Sequence, residues 1–223
     1  MKSLPRRSFI GLGLGLASAP SILKAAPAPL GTPAPAAGGK AEELLKFKRC
    51  EIAIQKAPEF AINGTTAKRF KQKDWIEVEF EIDVKAPKGA DKDLRFLDDV
   101  NIKYYVFVRP TDPKKNKVLV ADITYINVPV DETIHSVVYL SPATLYNVSG
   151  EKIVNKGLVT LYGCEATYGG KTVGIFSSDG NKGNPFWTAP TLPPVESGRL
   201  LPKNKTPFAP LWFDYYMEEK ADK

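Results

Sequence analysis

The chain has 223 residues, 43% hydrophobic and 25% charged, with 19 Pro and 17 Gly, which suits one globular domain with a loop-rich extension and makes neither a disulfide nor a metal obligatory for a core. Most of its formal charge of +6 sits at the start, where residues 1–25 hold Lys2, Arg6, Arg7 and Lys24 and no acid; the remainder carries 27 basic against 25 acidic residues, a net +2. No nucleic-acid partner is expected, since that binding needs a dense basic surface.

Residues 1–25 read as an export signal. The basic start leads into a short, Gly-rich apolar stretch from Phe9 to Ala17. That is too short for a spanning helix of ~20 residues, so no transmembrane anchor is expected in the mature chain. Arg6-Arg7-Ser8-Phe9-Ile10 resembles the twin-arginine motif, with Pro5 where Ser or Thr is usual and no Lys after Ile10; an ordinary secretory signal is the alternative. Small residues suit cleavage after Ala25 or Ala36. Residues 26–43, a Pro/Ala/Gly tract as far as Lys40, have nothing to bury and are expected as an extended linker.

From Leu45 the hydrophobic pattern has period two. In the run Trp75 to Val84, Ile76, Val78, Phe80, Ile82 and Val84 alternate with Glu77, Glu79, Glu81 and Asp83. This predicts a half-buried antiparallel strand whose register is fixed, because a slip of one residue would bury every one of those carboxylates. Residues 47–54, 100–109, 117–128, 133–140, 158–168 and 171–178 also read as strands, rich in β-branched and aromatic residues. Pro110 to Asn116 forms a turn, and Ser141-Pro142-Ala143 predicts a short helical turn with Pro at its first position. Gly169-Gly170 predicts a tight hairpin. With no long helix between them, these runs predict an all-β fold: an immunoglobulin-like antiparallel β-sandwich over residues 44–180. A small barrel is the alternative.

Residues 181–223 differ in character. Seven prolines from Pro185 to Pro210 rule out a central strand and predict an extended wrap over the surface. The end is aromatic: Phe208, Trp212, Tyr215 and Tyr216 share helical spacing, while Leu211, Phe213, Tyr215 and Met217 share strand spacing. So much ring surface needs cover. Either the segment docks on the sandwich and completes its core, or Phe208, Trp212, Tyr215 and Tyr216 form a partner-binding patch.

Candidate chemistry is sparse. Cys50 and Cys164 are the two cysteines; an oxidising compartment favours a disulfide between them, and two buried free thiols are the alternative. Tyr162-Gly163-Cys164 is similar to the Tyr-x-Cys of an immunoglobulin strand, yet Cys50 lies 114 positions upstream, too far for the antibody-type pair. His135 is the single histidine, so a blue-copper site, which needs two, and a zinc site both lack ligands. G-x-S-x-G is absent. Asp91, Asp93, Asp98 and Asp99 lie in a stretch without the spaced acceptors and terminal Glu of a calcium loop, and are expected as a solvated connection. No catalytic residue, cofactor or metal is expected.

The segments LLKFKRCEIAI (44–54), DWIEVEFEID (74–83), LRFLDDVNIKYYVFV (94–108) and YLSPATLYNVSGEKIVNKGLVTLYG (139–163) are spread through residues 44–163 of the chain after the linker. Together they resemble a family of pilus-like, immunoglobulin-fold envelope proteins encoded beside type IV pilus assembly genes in mucin-degrading gut bacteria. The resemblance implies a sandwich without enzymatic activity, exported to the periplasm or cell surface of a Gram-negative bacterium and acting in pilus-linked assembly or surface contact. Its partners would be other envelope or pilus-assembly proteins. One departure separates the chain from a major pilin. A prepilin has a long apolar helix and a Glu five residues after its cleavage site, whereas Phe9 opens a short, Gly-interrupted stretch with no Glu. The alternative function is a periplasmic carbohydrate- or polymer-binding module, with Trp187, Trp212, Tyr215 and Tyr216 as stacking platforms for a glycan.

Overall fold

The computed structural model describes residues 42–60 and 71–221. The expected export signal and most of the linker lie outside the described residues. Residues 40–223 form one compact unit. In chain order the strands are β1 (Leu45–Lys56), β2 (Asp74–Val84), β3 (Phe96–Leu97), β4 (Val100–Val108), β5 (Lys117–Ile126), β6 (Val128–Pro129), β7 (Thr133–Leu140), β8 (Val159–Tyr168), β9 (Lys171–Ser177), β10 (Val195–Ser197), β11 (Leu200–Pro202) and β12 (Glu218–Glu219). The helix α1 (Pro142–Ser149) joins β7 to β8.

Two sheets face each other, ordered β1-β2-β7-β11 and β10-β5-β4-β8-β9, with β12 also on β5 and β3-β6 as a small satellite. Pairing is antiparallel except for the short parallel contact of β10 with β5. The chain changes sheet between β2 and β4, between β5 and β7, and again between β7 and β8. The result is an all-β sandwich, and its strand order is compatible with the immunoglobulin-like arrangement.

Local chemistry places these elements where the sequence puts them. Ile76, Val78, Phe80 and Ile82 of β2 are fully buried, as are Val100, Ile102, Tyr104 and Val106 of β4 on the facing sheet. Phe80 meets the Tyr104 ring across the interface at 5.4 Å. The buried Tyr104 and Tyr125 hydroxyls satisfy each other at 2.8 Å, as burial of polar groups requires. Gly169 and Gly170 both take positive φ, 56° and 74°, the requirement of a two-residue hairpin between β8 and β9. Ser141 caps α1 by accepting from the Thr144 N–H at 3.1 Å, and Pro142 occupies the first turn.

The Pro-rich extension turns two layers into four. Phe186 and Trp187 cover the outer face of β4, β5 and β8, packing with Val118, Val120 and Leu161. Trp187 lies flat on Tyr105, 4.5 Å between ring centres and 3° between planes. The chain then pairs as β10 with the edge of β5, turns at Gly198 (φ 78°), and pairs as β11 with the edge of β7. From there it crosses the outer face of the other sheet, and β12 returns to β5. Both edges are thereby covered by the chain itself. On the opposite side, the Leu44 N–H donates to the Val173 carbonyl at 2.9 Å and ties the start of β1 to β9.

Two expectations need correction. The carboxylate face of β2 is not left to water: Glu77 is 5% exposed, because the extension lies over it. Cys50 and Cys164 are both free thiols rather than a disulfide. Each packs as a small apolar group, Cys164 fully buried in β8 and Cys50 half-buried in β1. Burial pushes both thiols well above their ordinary range, which keeps them protonated.

Gly163 shows how closely the extension is fitted. A Cβ there would collide with the Trp187 ring and with the Phe176 carbonyl. Gly163→Ala is expected to cost about 1–3 kcal/mol of unfolding free energy through overpacking, read as a lower urea midpoint. An unchanged midpoint would show that the extension does not clamp this face.

Candidate functional site

The outer face of the β2–β7 pair is built by register. Glu77, Glu79, Glu81 and Asp83 of β2 stand opposite Tyr139, Val137, His135 and Thr133 of β7. Because β7 turns Val137 and Tyr139 outward, this face is half apolar and needs a cover; because β2 adds carboxylates, the cover needs donors.

Each carboxylate has its own donors. The Thr133 hydroxyl donates to Asp83 at 2.6 Å and Lys48 pairs with it at 3.0 Å, which together hold the Asp83 carboxyl below the usual range. Arg49 pairs with Glu81 at 3.3 Å. Tyr139 donates to Glu77 at 2.7 Å, and Gln55 donates to the other oxygen at 3.2 Å. Glu79 takes both of its donors from the tail: Tyr215 at 3.1 Å and Tyr216 at 2.8 Å.

The tail reaches this face through a defined path. Phe208 is 1% exposed, stacked on Tyr139 at 4.7 Å and edge-on to Trp75 at 5.7 Å. Lys203, its pKa lowered by burial, donates to the Ala209 carbonyl at 2.8 Å and holds the turn below. Trp212 then takes left-handed φ/ψ of 51° and 44°, and a single 3-10 turn, Phe213–Tyr215, follows. The Tyr215 ring lies on His135, 4.0 Å between centres and 16° between planes. The Met217 N–H donates to the His135 carbonyl at 2.9 Å. His135 Nδ1 is 3.0 Å from Glu79 but has no hydrogen-bond partner. Burial, then the bond to Glu79, raises the Tyr216 pKa, so its phenol remains a donor at neutral pH.

Glu79, His135, Tyr215 and Tyr216 therefore form a clasp that anchors the tail. Their polar atoms face one another. Beside the clasp lies an open cleft of about 480 Å³, lined in part by Phe96, His135, Phe213 and Tyr215. Among the described residues no group of three or more His, Cys, Asp and Glu side chains is placed to hold a metal, and no helix is long and apolar enough to cross a membrane.

The aromatic residues singled out from sequence divide by environment. Phe208 leaves the partner-facing set, because it is enclosed between Tyr139 and Trp75. Tyr216 is half-buried and bound to Glu79. Trp212 and Tyr215 remain about half exposed. Trp187 is on the opposite face of the sandwich, stacked on Tyr105, and shares no surface with the tail rings. Sequence reasoning missed Phe213, 66% exposed, and Phe96, 53% exposed, as surface rings. It also missed Glu79 as the anchor. The alternation of β2 showed that Glu79 faces outward; which residues would cover it depends on a segment 136 positions away.

A family model matches residues 37–223 of the chain. A crystal structure of a protein from Akkermansia muciniphila is similar, with a TM-score of 0.67 and 27% sequence identity over 80% of this chain and 94% of that one. No curated protein matches.

Glu79→Ala leaves two phenols without their acceptor. It should cost about 1–3 kcal/mol of stability and speed amide exchange selectively over residues 213–217; exchange unchanged there would show that the clasp does not hold the tail. The phenols also set an alkaline limit. Burial raises the pKa of Tyr104, Tyr125, Tyr139 and Tyr216 above the ordinary value, so the folded state favours their protonated form. Their contribution is full below the unfolded pKa of about 10 and is lost as pH rises beyond it. Absorbance at the phenolate band should show these residues ionising only together with loss of near-UV circular dichroism; ionisation in the intact fold contradicts this.

Proposed function

We propose that the chain, which belongs to the family whose model spans residues 37–223, is a non-enzymatic, exported cell-envelope protein. It acts in the assembly or surface contacts of a type IV pilus-like system, through contacts with other proteins. The observation that carries this reading is the fate of the ionisable groups. His135, the residue on which acid–base chemistry would have to rest, is covered by Tyr215 and faces a carboxylate already bonded to two phenols. Large rings are instead left outward at Trp212, Phe213 and Tyr215. Aromatic side chains give the most contact area per ordered bond and dominate the centres of protein interfaces. The similarity to a protein from a Gram-negative gut bacterium and the family resemblance carried by residues 44–163 support an envelope location.

The same rings support a second reading, a carbohydrate- or polymer-binding module, since sugar faces stack on exposed aromatics. Trp187 is a poorer platform in that reading, because one ring face is taken by Tyr105, Phe186 stands edge-on to it at 5.1 Å and its edge packs against Gly163.

The test is affinity capture from envelope extracts with the full chain as bait. Recovery of pilus-assembly components from the wild type, lost with a Trp212→Ala/Tyr215→Ala double variant, is the expected outcome. Capture of no such component, together with binding on a glycan array, would replace the first reading by the second.

A further inference from the structure

The cleft beside the Glu79 clasp has a chemistry of its own. Its rings, Phe96, Phe213 and Tyr215, are each about half exposed or more. Three carboxylates share its lining, Glu132, Asp214 and Glu218, and no Lys or Arg does. Glu218 accepts from the Asn127 side-chain amide at 2.8 Å, a neutral donor. Among the described residues neither Glu132 nor Asp214 has a charged partner. Of the cations around the tail, Lys203 donates to the Ala209 carbonyl and lies over the Phe213 and Tyr216 rings at 5.9 and 5.5 Å, Arg49 pairs with Glu81 and Lys220 with Asp99, so none of them is paired with Glu132 or Asp214.

Ring faces carry negative potential, and the exposed carboxylates Glu132 and Asp214, which have no cation paired with them, add to it. An anion is repelled from such a place. A neutral sugar would use the rings and leave the carboxylates without a counter-charge. A cation on an apolar stem satisfies both, since its methylenes pack on the rings while its head meets the carboxylates.

From this charge complementarity we infer that the cleft between Phe96, Phe213 and Asp214 receives a lysine or arginine side chain of a protein partner. The inference rests on the reading that the protein works through protein contacts, and it names the chemistry of one such contact. The cleft is about 480 Å³, ample for one long basic side chain and its flanking backbone.

The probe is a pentalysine peptide titrated into the full chain at low salt, followed by calorimetry, with pentaglutamate and chitopentaose in parallel. Pentalysine is expected to bind and the other two are not. Phe213→Ala, and separately Glu132→Gln/Asp214→Asn, should each weaken pentalysine by about tenfold, the scale of a partly desolvated cation–π and carboxylate contact. An Asp91→Asn/Asp93→Asn control, in an exposed loop outside the cleft, should leave binding unchanged. Equal weakening by that control, wild-type affinity in Phe213→Ala, or chitopentaose binding in place of pentalysine overturns the inference. Failure of the broader reading looks different. If wild-type bait captures envelope proteins and Phe213→Ala captures them equally well, the cleft assignment falls alone. If wild type captures none, the contact function falls with it.

Discussion

A strand that alternates carboxylates with large apolar side chains can be covered on both faces only if its cover supplies hydrogen-bond donors. β2 is such a strand, and the rest of the molecule is arranged around that constraint. Its apolar face meets β4 across the sandwich. Its acidic face is divided among three sources of donors: Lys48 and Arg49 from β1, Thr133 and Tyr139 from β7, and the two tail phenols. Glu77 is buried because Tyr139 and Gln55 satisfy it, and Phe208 can then stack over Tyr139 without stranding a charge.

This arrangement decides what the surface offers. The groups that chemistry would need at His135 serve as an anchor for the tail. The edges of β5 and β7, the usual places for strand addition, are occupied by β10, β12 and β11. Among the described residues β1 and β9 stay at the sheet edges, and a rim of large rings stays exposed at 212–215. That rim exists because Trp212 adopts a left-handed conformation, unusual for a bulky residue, which reverses the chain so that Phe208 points in and Phe213 points out.

Packing of the extension also sets local requirements that look like isolated choices in the sequence. Gly163 sits in a strand, where glycine is normally a weak choice, because Trp187 approaches the backbone there. Gly174 has a different cause: a Cβ would meet the Leu45 carbonyl where β1 joins β9. Neither is explained by its neighbours in sequence.

The amino-acid order alone determined the seven long strands, the inward face of residues 75–84, the Gly169-Gly170 hairpin, the Ser141-Pro142 helix start and the lack of a central strand over residues 185–210. Those features follow from alternation, φ preferences and missing donors within a few residues of one another. Only the tertiary structure decided which spacing the aromatic tail would use, and it chose neither helix nor strand but one 3-10 turn entered through Trp212. It also left Cys50 and Cys164 as separate thiols, enclosed Phe208, exposed Phe213, and matched Glu79 to two phenols. Those outcomes depend on surfaces brought together from more than a hundred positions apart, and a local pattern carries no information about which distant donor will meet a given acceptor.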